Sequence, residues 1–207
     1  LSYSDLDLEI NKFLSGEYGC DFVVHAPELF SGSRLMDLAS PDEEYRQYSI
    51  METQRVIDIT RQLKKYFPKT ERPMIVANIG GFTMDELLPV DHLGDYYKRF
   101  ADSLSLLDMV GVELIPQTMA PFPWHFGGQR YQNLFVHADE CRYWCDKLNL
   151  RMCFDISHSR LMSNHFGVDF YDFAEKIAPI TGHLHLGDAS GVNGEGLQIG
   201  EGDIDFK

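Results

Sequence analysis

Short apolar runs alternate with longer amphipathic stretches along this chain. The apolar runs lie at 21–26 (D-F-V-V-H-A), 73–78 (P-M-I-V-A-N), 111–115 (G-V-E-L-I), 151–156 (R-M-C-F-D-I) and 181–187 (T-G-H-L-H-L-G). Runs of this length, several of them bounded by Pro or Gly, read as strands of a buried parallel sheet. Between them the period changes to that of a helix. One helix is expected from Ser49, with Glu52 as its reciprocal capping partner, to about Tyr66, ended by Pro68. Residues 90–110 set Tyr97, Phe100, Leu104 and Leu107 near one face. Further helices are expected over 139–148 and over 169–178, the last halted by Pro179. Residues 7–14 read as a short helical segment, 117–135 as a long loop and 190–202 as a Gly-rich loop.

Strand, helix, strand, helix predicts parallel β/α units. Polar residues sit at several expected strand ends: His25, Asn78, Glu113, Asp155 and His185. A doubly wound sheet gathers its ligands at one switch point, whereas a barrel draws them from many strand ends around one mouth. The spread favours an α/β fold of the (β/α)8 TIM barrel type, with residues 1–207 as one partial domain. Leu1–Asp5 reads as the tail of a first strand, and the chain stops before an eighth. The run at 194–202 has glycines but does not join a strand to a helix, so it is no dinucleotide fingerprint.

Composition narrows the function. The chain has 207 residues, 44% of them apolar, enough for one sizeable core. Its net charge of -14, from 18 basic and 32 acidic side chains, repels nucleic acid phosphate. No run of apolar residues is long enough for a membrane span, and no signal peptide pattern is present. Cys20, Cys141, Cys145 and Cys153 form no metal or redox motif. They read as free thiols of a reducing compartment, which makes the cytoplasm the expected location.

The chemistry centres on R-M-C-F-D-I-S-H-S at 151–159. An apolar strand ending in a carboxylate, with an imidazole three residues on, offers an oxygen and a nitrogen ligand to a divalent ion. Glu113, inside V-E-L-I, must be paired or bound, because a naked buried carboxylate is costly. It is read as a metal ligand that doubles as the base moving a proton. His183 and His185 share one strand face, and His185, nearer the strand end, is the preferred ligand. The metal set is thus Glu113, Asp155, His158 and His185, holding one Mn²⁺, Mg²⁺, Co²⁺ or Zn²⁺ ion. His25, Trp124 and Arg130 are candidate substrate contacts, and Glu201, between two glycines, is a candidate loop carboxylate. Such an ion stabilises an enediolate as a proton leaves carbon, and a sugar presents the adjacent hydroxyl and carbonyl this needs. Reversible transfer wants a second carboxylate opposite, and none is evident.

Several short motifs, in this order and spacing, resemble the xylose isomerase-like barrel superfamily, which holds sugar isomerases, epimerases and endonuclease IV-type nucleases. They are V-H-A-P at 24–27, V-E-L-I at 112–115, F-D-I-S-H at 154–158, H-L-G-D at 185–188 and I-G-E-G-D-I-D-F at 199–206. The resemblance implies metal ligation by Glu113, Asp155 and His185. It gives His158 to substrate in the epimerase branch and to metal in the nuclease branch, where His25 would also bind zinc. Asn78 stands where the nuclease branch has a histidine, and Gly194, Glu195 and Gly196 stand where it has Asp-x-His. The family's eighth-strand Glu is not in the chain. The expected function is a metal-dependent sugar isomerase or epimerase. The alternatives are a hydrolase, endonuclease or lyase on the same fold, and a barrel whose site has degenerated. Such barrels often pair, and a homodimer is one expected assembly.

Overall fold

A computed structural model describes residues 1–122, 124–125 and 128–206, and for residues 124, 125, 128 and 129 their backbone alone. The chain divides into two compact units, Leu1–Gly80 with Lys98–Ile115, and Gly81–Tyr97 with Pro116–Lys207.

In the first unit, β1 (Val24–His25), β2 (Met74–Ala77) and β3 (Glu113–Pro116) form one sheet in that order. β1 and β2 are parallel, with His25 opposite Val76. Ile75, Val76 and Ala77 are wholly buried, as a β-rich run covered on both faces should be. Helix α1 (Glu43–Lys64) begins earlier than expected. Asp42, not Ser49, is its cap, the carboxylate accepting the Tyr45 N–H at 3.1 Å. Glu43 and Glu44 in the first turn and Arg61 and Lys64 in the last suit the helix dipole. Ser49 lies buried within the helix, and its hydroxyl accepts the Asp37 N–H at 3.0 Å. Where the chain leaves β2, Gly80 has φ +94°, and a Cβ there would lie 2.2 Å from Asp37 Oδ1. Only glycine fits that close approach.

The expected helix over 90–110 is shorter: a 3-10 turn at Val90–His92 precedes α2 (Gly94–Ser105).

In the second unit, β4 (Met152–Asp155) and β5 (Thr181–His185) run parallel, with Asp155 opposite His185. A parallel bridge joins Gln117 to Cys153. Helices α3 (Ala138–Leu148), α4 (Ile156–Phe166) and α5 (Phe170–Ile177) belong to this unit. α4 was not expected from the pattern. Its buried face includes Ser157, Ser159 and Ser163 beside Leu161 and Met162, so apolar periodicity does not mark it. The Gly-rich stretch also holds structure: β6 (Asp188–Ser190) and β7 (Gly194–Leu197) form an antiparallel hairpin. The Tyr97 ring stacks on Trp144 at 4.4 Å and meets Phe135 edge-on. The Tyr97 hydroxyl accepts the Phe135 N–H at 2.9 Å and donates to the buried Glu140.

The fold is α/β, with parallel strands in several short ladders that do not close into a ring among the described residues. Among those residues no helix is long and apolar enough to cross a membrane.

Candidate functional site

Asp155 ends β4 and caps α4 in one step. Its backbone is extended, so its carboxylate turns back over the helix start, and Oδ1 accepts the His158 N–H at 2.9 Å. Its other oxygen, Oδ2, accepts from His185 Nδ1 at 3.2 Å and from the Gln117 amide at 3.2 Å. The Asp155 N–H donates to Thr118 Oγ1 at 2.8 Å, which ties the tip of β4 to its neighbour. Burial pushes this carboxyl up. The hydrogen bond from His185, the nearby His158 and the His158 N–H outweigh burial and hold it below its ordinary value.

His158 is buried one turn into α4. Its Nδ1 meets the Thr118 carbonyl at 2.9 Å, and its Nε2 meets Glu195 Oε1 at 3.0 Å. A carbonyl and an ionised carboxylate only accept, which favours a ring protonated at both nitrogens, while Nδ1 also lies 3.1 Å from the Gln117 amide nitrogen. Burial pulls its pKa down. The Glu195 hydrogen bond, the charges of Asp155 and Glu195 and the Thr118 carbonyl prevail, and the pKa is raised to about 9. Both ring nitrogens are thus engaged within the protein.

Glu195 reaches His158 from β7. The hairpin is clipped to α4 by the Gly196 N–H on Ser157 Oγ at 2.8 Å and by Asn164 Nδ2 on the Gly191 carbonyl at 2.7 Å. Asp188 anchors its base. That buried carboxylate accepts the N–H groups of Ala189, Gly200, Gly202 and Ile204. Burial raises its pKa, and these four donors together bring it below its ordinary value.

The structure brings Asp155, His158 and His185 together. It adds Gln117 and Thr118, which the sequence did not single out, and Glu195, noted there only as a departure from the nuclease motif. Gln117 had a signal, a polar side chain directly after Pro116. Glu195 had one too, its place in the stretch that corresponds to the nuclease branch's Asp-x-His. His183 pairs across the ladder with Cys153, its ring 5.4 Å from that of His185.

The other expected residues lie as follows. Glu113 opens β3 in the first unit and is half-buried. His25 closes β1, its Nδ1 2.8 Å from the Ala26 carbonyl. In the same unit Asn78 Nδ2 donates to Glu28 at 2.9 Å. Arg130 lies against Met84 Sδ, and Glu201 is exposed in a turn closed by its N–H on the Gln198 carbonyl. Trp124 belongs to a two-residue strand, and its side chain lies outside the described residues.

Among the described residues no group of three or more His, Cys, Asp or Glu side chains is gathered to hold a metal ion. The fit to a divalent ion is a two-residue one, the Asp155 oxygen and the His185 imidazole, a donor pair that such ions accept.

Residues 2–207 match the family model described as xylose isomerase-like TIM barrel. No curated protein matches the chain by sequence. Among solved structures, a D-tagatose 3-epimerase-like protein is similar at TM-score 0.64 and 24% identity, over 96% of this chain and 66% of the other. A D-allulose 3-epimerase from Methylomonas sp. is similar at TM-score 0.54 and 13% identity, over 83% and 53%. Endonuclease IV from Thermus thermophilus is similar at TM-score 0.52 and 15% identity, over 84% and 55%. These are likenesses of fold, and the chain spans between half and two thirds of those proteins.

Proposed function

The chain belongs to the xylose isomerase-like TIM barrel family, and from that premise we propose that it is a divalent-metal-dependent isomerase or epimerase of a sugar or sugar derivative. The reaction is proton transfer through an enediolate. The observation that carries this reading is the pair Asp155 and His185, an oxygen and a nitrogen ligand 3.2 Å apart at adjacent parallel strand ends. They would hold Mn²⁺, Mg²⁺, Co²⁺ or Zn²⁺, which when bound supplies Lewis-acid stabilisation of charge developing on substrate oxygens. The sequence reading adds Glu113 as a further ligand and as the base that moves the proton. His158 would be a further ligand or would contact substrate once Glu195 gives up its Nε2. His25, Trp124 and Arg130 remain proposed substrate contacts, and Glu201 a loop carboxylate. The net charge of -14 supports a small carbohydrate substrate over the nuclease alternative. The homodimer and the cytoplasmic location stay proposals of the same kind.

A second reading, a barrel whose site has degenerated, is favoured by one observation. The Asp155 carboxylate already receives three N–H donors from the protein itself. The test is product analysis. The protein is incubated with a panel of ketoses and ketose phosphates and each of the four ions, and the sugars are separated by chromatography. An epimer or isomer formed from at least one substrate is expected. No conversion with any pairing would leave the degenerate site as the better account.

A further inference from the structure

We infer that Glu195 is a latch on the candidate site: its carboxylate occupies His158 Nε2, where an oxygen of a bound molecule has to be, and the β6–β7 hairpin must release it first. The inference rests on the reading above, in which that nitrogen becomes available once Glu195 leaves.

The two nitrogens of the His158 ring face different surroundings. Nδ1 is held from within, 2.9 Å from the Thr118 carbonyl and 3.1 Å from the Gln117 amide nitrogen. Nε2 meets Glu195 Oε1 at 3.0 Å. The Glu195 side chain is 44% exposed and that of His158 8%, so the carboxylate lies on the solvent side of the pair. A molecule approaching this ring from solvent meets Glu195 before it meets Nε2.

The hairpin is weakly held at its tip and firmly at its base. None of residues 191–197 is buried, so little apolar burial pins the tip to α4. Polar contacts hold it instead: Glu195 on His158, the Gly196 N–H on Ser157 Oγ and Asn164 Nδ2 on the Gly191 carbonyl. At the base, buried Asp188 accepts the N–H groups of Ala189, Gly200, Gly202 and Ile204. Glu195 stands between Gly194 and Gly196, the latter at φ +64°, and glycine lets the backbone turn there while the base stays in place. Apparent affinity for an incoming oxygen group scales with the fraction of molecules in which Glu195 is off the ring. Removing the carboxylate raises that fraction to its limit.

The probe is acetate, a small carboxylate that can take the place of Glu195, followed at the His158 ring by proton–nitrogen NMR at one fixed pH. In Glu195→Ala the ring signal should shift saturably, at an acetate concentration on the order of tenfold or more below that needed in wild type. Amide exchange at Gly196 should speed up on the order of tenfold in the same variant, with exchange at Gly200 unchanged. The same acetate response in both proteins, or unchanged protection at Gly196, overturns the inference. If Glu195→Ala does not fold, Glu195→Gln, which keeps a weaker neutral acceptor, is judged by the same two criteria. Neither measurement needs turnover. Failure of the product analysis above would remove the isomerase reading and leave the latch to be decided by acetate alone.

Discussion

Asp155 and His185 face each other across a parallel ladder, with Oδ2 of one 3.2 Å from Nδ1 of the other. The contact follows from the register. Each residue closes its strand, so each side chain stands at the tip where βα segments open and catalytic groups collect. The same aspartate caps α4, so helix position and imidazole position are fixed by one carboxylate.

The His158–Glu195 pair makes stability depend on pH. The folded pKa of His158, about 9, lies above its ordinary value of 6.5. The stabilisation is therefore fully present below about pH 6.5 and is lost as pH rises through about 9. Urea unfolding at about pH 6 and about pH 10 should show wild type losing on the order of 1–3 kcal/mol more than Glu195→Gln. That range is discounted because Glu195 is half-exposed. Equal losses in the two proteins would remove the pair from the account.

Glu140 gives a second pH signature, with a different cause. Its burial raises the carboxyl from 4.5 to about 7, against hydrogen bonds from Tyr97 and the His137 N–H that favour the charged form. Its contribution is present below about pH 4.5 and lost as pH rises through about 7. Glu140→Gln keeps an acceptor for Tyr97 and cannot ionise. Above pH 7 it should be the more stable protein by denaturant midpoint. A stability–pH slope between about pH 4 and 8 identical to that of wild type would contradict this.

Gly202 lies under the hairpin's anchor. A Cβ there would lie 2.3 Å from Asp188 Oδ1 and 2.4 Å from the Ala189 carbonyl. Gly202→Ala should cost about 1–3 kcal/mol and speed amide exchange at Gly200 and Ile204, which donate to Asp188. An unchanged thermal midpoint with unchanged exchange would mean the anchor is not tight.

Much of this was legible in the chain. The apolar runs at 73–78 and 151–156 became β2 and β4, because apolar runs of that length mark strands covered on both faces. F-D-I-S-H marked the candidate site, although its carboxylate also serves as the cap of α4. Two things were hidden. α4 buries serines, among them Ser157 and Ser159 whose hydroxyls bond within the fold, and so leaves no apolar stripe to read. Glu195 reaches His158 only because β6 and β7 pair, and a run of glycines does not announce a hairpin. Gln117 was overlooked because it falls just past the run at 111–115, at the start of the expected loop, while Glu113 inside that run looked the more chemical residue.

The most direct test of the central claim is deuterium wash-in at substrate carbon, followed by proton NMR in D₂O with Mn²⁺ and a ketose panel. Wild type is predicted to exchange a carbon-bound hydrogen beside the carbonyl of at least one sugar. Asp155→Asn, which keeps the helix cap, should be folded and lose that exchange. Exchange in Asp155→Asn as fast as in wild type, or none in wild type across the panel, would contradict the account.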